Sequence, residues 1–524
     1  MKSSTSKKPS RLPRLVAFAI GFGWFGCLAV PAPSAASVAS FFGRSAGHVA
    51  NVAFAGADEA LADVLPLVVM VQKRDLFDEA AVALDVARIQ SLGVYADVQA
   101  DVTEEATGVT VRYRVSGRTN AALPRLDAIR IEGNIKTKER VVLRRLRLAV
   151  GDSVEWQRLV AAMRRLQELR FFEKVRFCFG PPPAAADDSG VTLVVTIVEG
   201  LTQIGFGWLT YSSDNPDLGG LGPIAGYVNM NLFGTGAQFG FGGMWAETKV
   251  VVVGGRLLHP LDTAATLTFG AGYLDQEQEL FDRDARETGD SYRALGTTAI
   301  AFWDQSLDRD EHWHLFGGMI LARTRFRAAQ GEPPAAGGRS ALAIASVYLD
   351  RRDDRTEPTR GYVAELRLDQ GYQDADAPER SRGFLRFNPE LRGYWRLGPR
   401  HCFAAQGKAG VANRDIPFLA KYTLGGYSSM RGYPSEGMRG DTYIWGTVEY
   451  RFPIYEIRDD QAITGVVFSE AGDAWDRGSD DAPWQFRLSG GVGLRAIAGP
   501  FVLRADYGVA RDSSGFYIHF GHYF

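Results

Sequence analysis

The sequence predicts two tandem α+β modules followed by a transmembrane antiparallel β-barrel, and three observations carry that prediction. A segment of the amino-terminal third repeats at an offset of roughly 77 positions. After about residue 200 the helical period disappears and polarity alternates residue by residue, the pattern of strands with lipid on one face and a polar lumen on the other. Late in that region Met430-Arg431-Gly432-Tyr433 places an arginine beside a glycine hinge. Inside a barrel such an arginine needs acceptors, because an unpaired buried charge costs several kcal/mol.

The chain of 524 residues is long enough for two or three folding units. Lysine and arginine total 59 against 61 acidic residues, so no field on the scale of a nucleic-acid binder is implied. A helical membrane protein would show repeated apolar runs of about 20 residues, and only residues 15–30 approach one. That run follows Lys7, Lys8, Arg11 and Arg14 and precedes Ser34, Ala35, Ala36 and Ala39. Basic, then apolar, then small is the order of a cleaved secretory signal, assigned to residues 1–39; a retained anchor is the competing reading. Cys27 lies within it, and Trp24-Phe25-Gly26-Cys27 matches a lipoprotein cleavage box only in its last two positions. Cys178 and Cys402 are far apart in different proposed domains, which supports neither a disulfide framework nor a cysteine zinc site.

The repeat aligns Phe54-Ala55-Gly56 with Ile131-Glu132-Gly133. At the same offset Val82, Val86, Ile89 and Leu92 become Leu159, Met163, Leu166 and Leu169, the buried stripe of an amphipathic helix. Tyr95 and Val98 become Phe172 and Val175, leading into a strand. Asp152 and Glu155 have the spacing of a capping box at the helix entry. Each copy closes on a β-rich run, 109–115 and 191–197, and Pro181-Pro182-Pro183 marks a loop in the second. The order strand, helix, helix, strand, strand defines an α+β unit, with boundaries at 48–117 and 125–200.

In the remainder, 201–524, Tyr362, Ala364, Leu366 and Leu368 alternate with Val363, Glu365, Arg367 and Asp369. Ile444, Gly446, Val448, Tyr450 and Phe452 alternate with Trp445, Thr447, Glu449 and Arg451, and Phe501, Leu503, Ala505 and Tyr507 with Val502, Arg504 and Asp506. A soluble sandwich has the same period. The barrel is favoured by a long helix-free region, by aromatics such as Trp245, Tyr273, Trp303 and Trp313 near strand ends, by the export signal and by the final aromatic. Polar insertions at 275–290 and 328–339 are expected to be external loops.

The second copy resembles the polypeptide-transport-associated (POTRA) domain in Ile129-Arg130-Ile131-Glu132-Gly133-Asn134, Leu148-Ala149-Val150-Gly151-Asp152 and Phe171-Phe172-Glu173-Lys174-Val175. Five further segments, in order, resemble the BamA/TamA family of outer-membrane assembly barrels. They are Asn229 to Gly236; Asp350-Arg351-Arg352-Asp353 with Pro358-Thr359-Arg360-Gly361-Tyr362; Gly425-Gly426 before Met430-Arg431-Gly432-Tyr433; Phe468 to Trp475; and Phe520-Gly521-His522-Tyr523-Phe524. The resemblance implies sixteen strands and a loop folded into the lumen, where Arg431 binds Glu449 and Glu470. Alternation itself puts Glu449 on the luminal face; it gives Glu470 no such support, because Val466 and Phe468 share its parity. The sequence departs from the family at Met430, where a β-branched residue is more usual. Phe520, Gly521 and Phe524 correspond to the family's carboxy-terminal assembly signal.

Enzymatic readings fare poorly. Gly151-Asp152-Ser153 and Gly289-Asp290-Ser291 have the form of some esterase nucleophile blocks, but no histidine has an aspartate three residues before it, and Ser153 reads as a helix cap. No Gly-x-Ser-x-Gly elbow or phosphate loop occurs. Asp310, His312 and His314, expected on one strand face, have metal-ligand chemistry, though a polar lumen or loop accounts for them better. The resemblance therefore implies a non-enzymatic, cofactor-free outer-membrane protein with periplasmic POTRA modules. Its partners would be unfolded outer-membrane or secreted polypeptides, the bilayer, and accessory periplasmic or lipoprotein subunits, without nucleic acid. Insertion of barrel proteins through a seam between strands near 204–211 and 516–524 is the leading expectation. A two-partner secretion pore and a passive porin-like barrel are the alternatives.

Overall fold

The computed structural model describes residues 47–524, apart from 106–107, 120–124, 154, 170, 182–189, 213–220, 246–248, 261–262, 283, 309, 332–336, 356, 376–381, 459–460, 478–484, 499–500 and 521–523. The expected signal segment, 1–39, lies outside the described residues. Two compact units are present, and one contains both α+β modules together with residues 229–237.

In that unit the first module runs β1 (Val49–Ala55), α1 (Glu59–Ala62), a 3₁₀ turn, α2 (Glu79–Ser91), β2 (Tyr95–Glu105) and β3 (Gly108–Arg118). The second runs β4 (Arg125–Glu132), α3 (Glu139–Leu146), α4 (Trp156–Gln167), β5 (Phe172–Gly180) and β6 (Gly190–Glu199). Their sheets have equivalent orders, β1-β3-β2 and β4-β6-β5, with the last strand central and parallel to the first. The helical stripe read from the repeat forms the cores: Val82, Ile89 and Leu92 are buried in one, and Leu159, Met163, Leu166 and Leu169 in the other. Gly56 and Gly133 have φ of +83° and +86°, and a Cβ on either would come within about 2 Å of a carbonyl of the central strand, Val115 or Ile197. That shared constraint is why glycine recurs there.

The expected capping box is not formed. Glu155 is the N-cap of α4 without a side-chain hydrogen bond, Asp152 accepts from Ala149 N in the preceding turn at 3.1 Å, and Ser153 forms a backbone bridge with Arg125. Spacing alone did not reveal that Asp152 has a closer donor.

A buried carboxylate ties the first module together. Asp85 on α2 accepts from Met70 N at 2.7 Å, Val71 N at 2.9 Å and Tyr113 Oη at 3.0 Å. The same 69–75 segment meets the second module: Lys174 of β5 pairs with Asp75 at 2.8 Å and Arg176 donates to Val69 O. Phe179 N donates to Ser91 Oγ at 3.1 Å. The outer side of β5 therefore faces the first module, whereas β2 pairs only with β3 among the described residues.

The second unit is a closed barrel of sixteen antiparallel strands. In chain order these begin β7 (Gln203–Ser212), β8 (Leu221–Leu232), β9 (Ala237–Trp245), β10 (Lys249–Leu258), β11 (Ala265–Phe281), β12 (Glu287–Ser306) and β13 (Trp313–Gln330). They continue β14 (Gly338–Asp350), β15 (Gly361–Ala375), β16 (Arg382–Gly398) and β17 (His401–Ala412). After a long loop holding the short strands β18 (Tyr422–Leu424) and β19 (Met438–Gly440) come β20 (Thr442–Arg458), β21 (Gln461–Trp475), β22 (Arg487–Ala498), β23 (Phe501–Ala510) and β24 (Ser514–Phe520). No described helix is long and apolar enough to cross a membrane; the strands do the crossing.

Alternation sorts the side chains as the sequence predicts. Leu366, Leu368, Ile444, Val448, Tyr507 and Val509 are exposed on the outside, while Glu449, Arg451, Arg504 and Asp506 are buried inside. The 275–290 insertion is mostly strand: β11 and β12 stay paired out to Phe281 and Glu287, leaving a short turn. Charged residues on a hairpin beyond the bilayer keep their ladder while losing the apolar alternation, so they resemble a loop in sequence. Closure is uneven. Among the described residues β24 keeps seven register pairs with β23 but only two with β7, Tyr517 with Ser212 and Ile518 with Tyr211.

Replacing Asp85 with alanine strands three donors, two of them in buried bonds, and is expected to destabilise the first module by about 3 kcal/mol, with Asp85→Asn less severe. Urea unfolding of the two-module fragment, followed by circular dichroism, measures both. A separate outcome concerns Glu199, which accepts from Lys136 N at 2.9 Å and Thr137 N at 2.7 Å. Burial opposes its charge, yet the hydrogen bonds from Thr137 and Lys136 leave its carboxyl below the usual range. A depressed folded pKa gives stabilisation that is present at neutral pH and lost as pH falls through that value. Exchange protection of the 136 and 137 amides should therefore decline on acidification in wild type and be pH-insensitive in Glu199→Gln.

Candidate functional site

Residues 413–441, between β17 and β20, form the loop that carries Arg431. A tight reversal presents this side chain. Tyr433 N donates to Met430 O at 3.1 Å and Gly426 N to Tyr433 O at 3.0 Å, while Gly425 N donates to Ser429 Oγ at 3.1 Å. Gly432 has φ of +100°, and a Cβ there would lie 2.9 Å from the backbone of Gly508 and Val509 on β23. Only glycine allows the loop to lie this close to the wall.

Met430 and Tyr433 pack with Leu424, Met438, Trp445, Ala474 and Ala510 in an apolar cluster inside the barrel. Met430 is fully buried at φ +48°, so what its site uses is apolar bulk. Tyr433 Oη donates to Leu488 O at 3.4 Å.

The Arg431 guanidinium has no solvent exposure. It donates from Nη2 to Glu449 Oε1 of β20 at 3.1 Å and to Glu470 Oε1 of β21 at 3.0 Å. Nε also reaches Glu470 Oε1, at 3.2 Å, and the Arg431 backbone N–H donates to the other oxygen of that carboxylate. Nη1 donates to Asp506 Oδ2 of β23 at 3.1 Å. The ring of Phe468 lies beneath the guanidinium carbon at 3.4 Å from its centroid, adding a cation–π contact that strengthens where water is excluded. The acids have further partners: Arg451 donates to Glu449 at 2.8 Å, Arg504 lies 3.3 Å from Asp506, and Arg495 donates to Asp506. Charge-assisted hydrogen bonds are stronger than neutral ones, and here several guanidiniums share the same acids.

Both glutamates named from the sequence thus lie against Arg431. Glu470 does so on a face it shares with buried Val466 and Phe468, while Val467 is exposed. The luminal face is apolar at that point because Phe468 serves the arginine, and this is why parity gave Glu470 no support. Sequence reasoning did not connect Asp506 with the arginine, although its alternation with Phe501, Leu503, Ala505 and Tyr507 already placed it inward.

Of the carboxy-terminal positions, Phe520 pairs with Leu503 and Gly521 lies outside the described residues. Phe524 is buried on the luminal side against Tyr394, Cys402 and Ala404, with the Arg451 guanidinium 5.0 Å from its ring centroid. Asp310 and His312 do not share a strand face with His314. They lie in the β12–β13 turn, where their ligand atoms and those of Asp308 fall within 4.8 Å of one another, whereas His314 of β13 bonds Asp304 at 2.9 Å and stacks on Tyr348.

Residues 124–200 match the POTRA family, described as a surface antigen variable number repeat. The chain is 26% identical over 406 residues to the outer membrane protein assembly factor BamA of Nitratidesulfovibrio vulgaris, covering 74% of this chain and 48% of that protein. It is 23% identical over 393 residues to the protein of the same name from Neisseria meningitidis serogroup B, covering 67% and 46%. The chain therefore spans about half the length of the curated relatives it matches. Among solved structures, BamA from Haemophilus ducreyi lacking POTRA domains 1–3 superposes with a TM-score of 0.51 at 17% identity, covering 92% of this chain and 100% of that one. CdiB from Escherichia coli superposes at 0.56 and 14% identity, covering 94% and 93%. These two likenesses speak to fold alone. Residues 231–524, more than half of the chain, match the Omp85 superfamily domain, and this chain belongs to that superfamily of outer-membrane barrels.

Proposed function

We propose that this protein inserts β-barrel polypeptides into the outer membrane through the seam between β7 and β24. The observation that carries the reading is the two-pair contact between the described residues of those strands, against seven pairs between β23 and β24. Unpaired backbone groups inside a bilayer each cost several kcal/mol, so a short seam leaves edges that an incoming strand can satisfy. A client would add its strands to such an edge and leave as a closed barrel. No covalent chemistry is involved; the protein lowers a barrier that lipid and water impose.

The modules fit a receiving role. Among the described residues β2, eleven residues long, pairs on one side only, and an edge strand binds an extended chain through backbone hydrogen bonds with little regard to sequence. Within the barrel, Arg431 acts as a latch that fixes the loop against β20, β21 and β23. Met430 and Tyr433 seat it in apolar surroundings, and Gly432 lets it approach β23.

Tyr211 and Ile518 are register partners across the seam, and the double substitution Tyr211→Cys with Ile518→Cys provides the test. Oxidation of the introduced thiols should abolish client insertion into liposomes and reduction should restore it; undiminished insertion by the oxidised protein refutes the gate. Depletion in cells should lower many outer-membrane barrels together, whereas loss of a single secreted polypeptide would identify a two-partner exporter. Arg431→Ala leaves Glu449, Glu470 and Asp506 short of a partner and should destabilise the barrel by about 3–5 kcal/mol, read as loss of heat-modifiable mobility at lower temperature. Arg431→Lys should recover little, since an ammonium cannot span three carboxylates as a guanidinium fork does.

A further inference from the structure

The last strand has a hold on its luminal side that does not involve its seam neighbour. Tyr517 and His519 of β24 both face inward, opposite Asp506 and Arg504 respectively. Gly432 N of the loop donates to Tyr517 Oη at 3.3 Å, and the Tyr427 ring stacks on His519 with centroids 3.9 Å apart and planes 18° apart. Ser513 Oγ, in the turn entering β24, donates to Gly432 O at 2.7 Å. The loop is itself held from behind, because Arg504 donates to Tyr427 O at 3.0 Å and Arg431 binds acids on β20, β21 and β23.

This geometry makes the two sides of the seam unequal. Losing the two described register pairs to β7 leaves β24 bonded to β23 by seven pairs and clasped by Tyr427 and Gly432. Phe524, four residues beyond β24, adds an inward anchor by packing on Tyr394 at 6.1 Å between centroids. The contacts are of different kinds (a ring stack, a hydroxyl bond to a loop amide and a turn hydroxyl), so each contributes a separable part of the clasp.

We propose that Tyr427, Tyr517 and His519 are positioning residues that keep β24 seated on the luminal loop while the seam opens, so that β7 is the moving edge. The proposal deepens the seam reading above and rests on it for its functional consequence, though the clasp itself is measurable without any client.

Two measurements on the full chain, with native cysteines replaced by serine for cross-linking, decide it. In hydrogen exchange of the protein in lipid nanodiscs, Tyr427→Ala should speed exchange of the 514–520 amides about tenfold and leave β22 unchanged, with Tyr517→Phe giving a smaller effect in the same strand. Unchanged β24 exchange in both variants overturns the clasp whatever the protein does to clients. The second arm uses the double variant Tyr427→Cys with His519→Cys, its two introduced thiols joined by a short bis-thiosulfonate reagent. If β24 stays on the loop, insertion by the bridged protein remains within about twofold of the unbridged protein, although the 211–518 disulfide abolishes it. If the bridge blocks insertion as fully as the seam disulfide, β24 must leave the loop and the proposal fails. Insertion that survives the seam disulfide instead removes the gate reading and leaves the clasp to the exchange result.

Discussion

A guanidinium sealed away from water must be neutralised from several sides at once, and Arg431 imposes that requirement on the wall around it. Its three carboxylate partners come from β20, β21 and β23, strands that reach it only in one register. Sliding any of them by one residue would turn its acid toward lipid and leave the charge short of a partner. Buried ion pairs seldom stabilise more than well-packed apolar side chains would, but breaking one costs several kcal/mol. The network therefore specifies position more than it adds stability. What it specifies is the seat of the loop, and through Gly432 and Tyr427 the seat of the last two strands.

The same logic explains the apolar cluster beside the charged network inside the barrel. Trp445 and Ala474 of the wall meet Met430, Tyr433 and Met438 of the loop, and this excludes water from the neighbourhood of Arg431. Excluding water strengthens each ion pair and penalises each unpaired group. Loop and wall thus share a small core, much as two layers of a soluble domain do, and the loop is part of the fold.

Much of this was legible in residue order because both periods are local. The stripe from Leu159 to Leu169 declared a helix, and the alternation around Glu449 and Arg504 declared which faces look inward. Where legibility failed, a partner that spacing does not reveal had overridden the simple rule. Phe468 is apolar yet luminal because a cation lies on it, and Asp152 serves a turn in place of the helix its spacing suggested. The 275–290 segment looked like a loop because a hairpin that outruns the membrane loses its lipid-facing residues while keeping its hydrogen bonds. Asp506 was visible as an inward acid, but nothing in one sequence says which inward acids converge on one arginine. The shortness of the described β7–β24 contact had no local signal at all, since pairing between the first and last strands of a barrel depends on how the whole wall closes.

Under the insertion function proposed above, a polypeptide leaving the periplasm would have two routes past this wall, and they differ in what they break. Passage through the lumen would require the loop to leave, which breaks the contacts of Arg431 with Glu449, Glu470 and Asp506 and opens the apolar cluster around Met430. Stranding even one of those charges costs about 3–5 kcal/mol, and nothing in an extended client replaces a guanidinium fork. Parting β7 from β24 breaks the two described register pairs, and the groups released are backbone N–H and C=O, which any extended chain can satisfy in kind. The lumen demands a specific substitute and the seam a generic one. The proposed service to many client sequences matches the second demand, and a latched loop would make the first route unfavourable without obstructing the other.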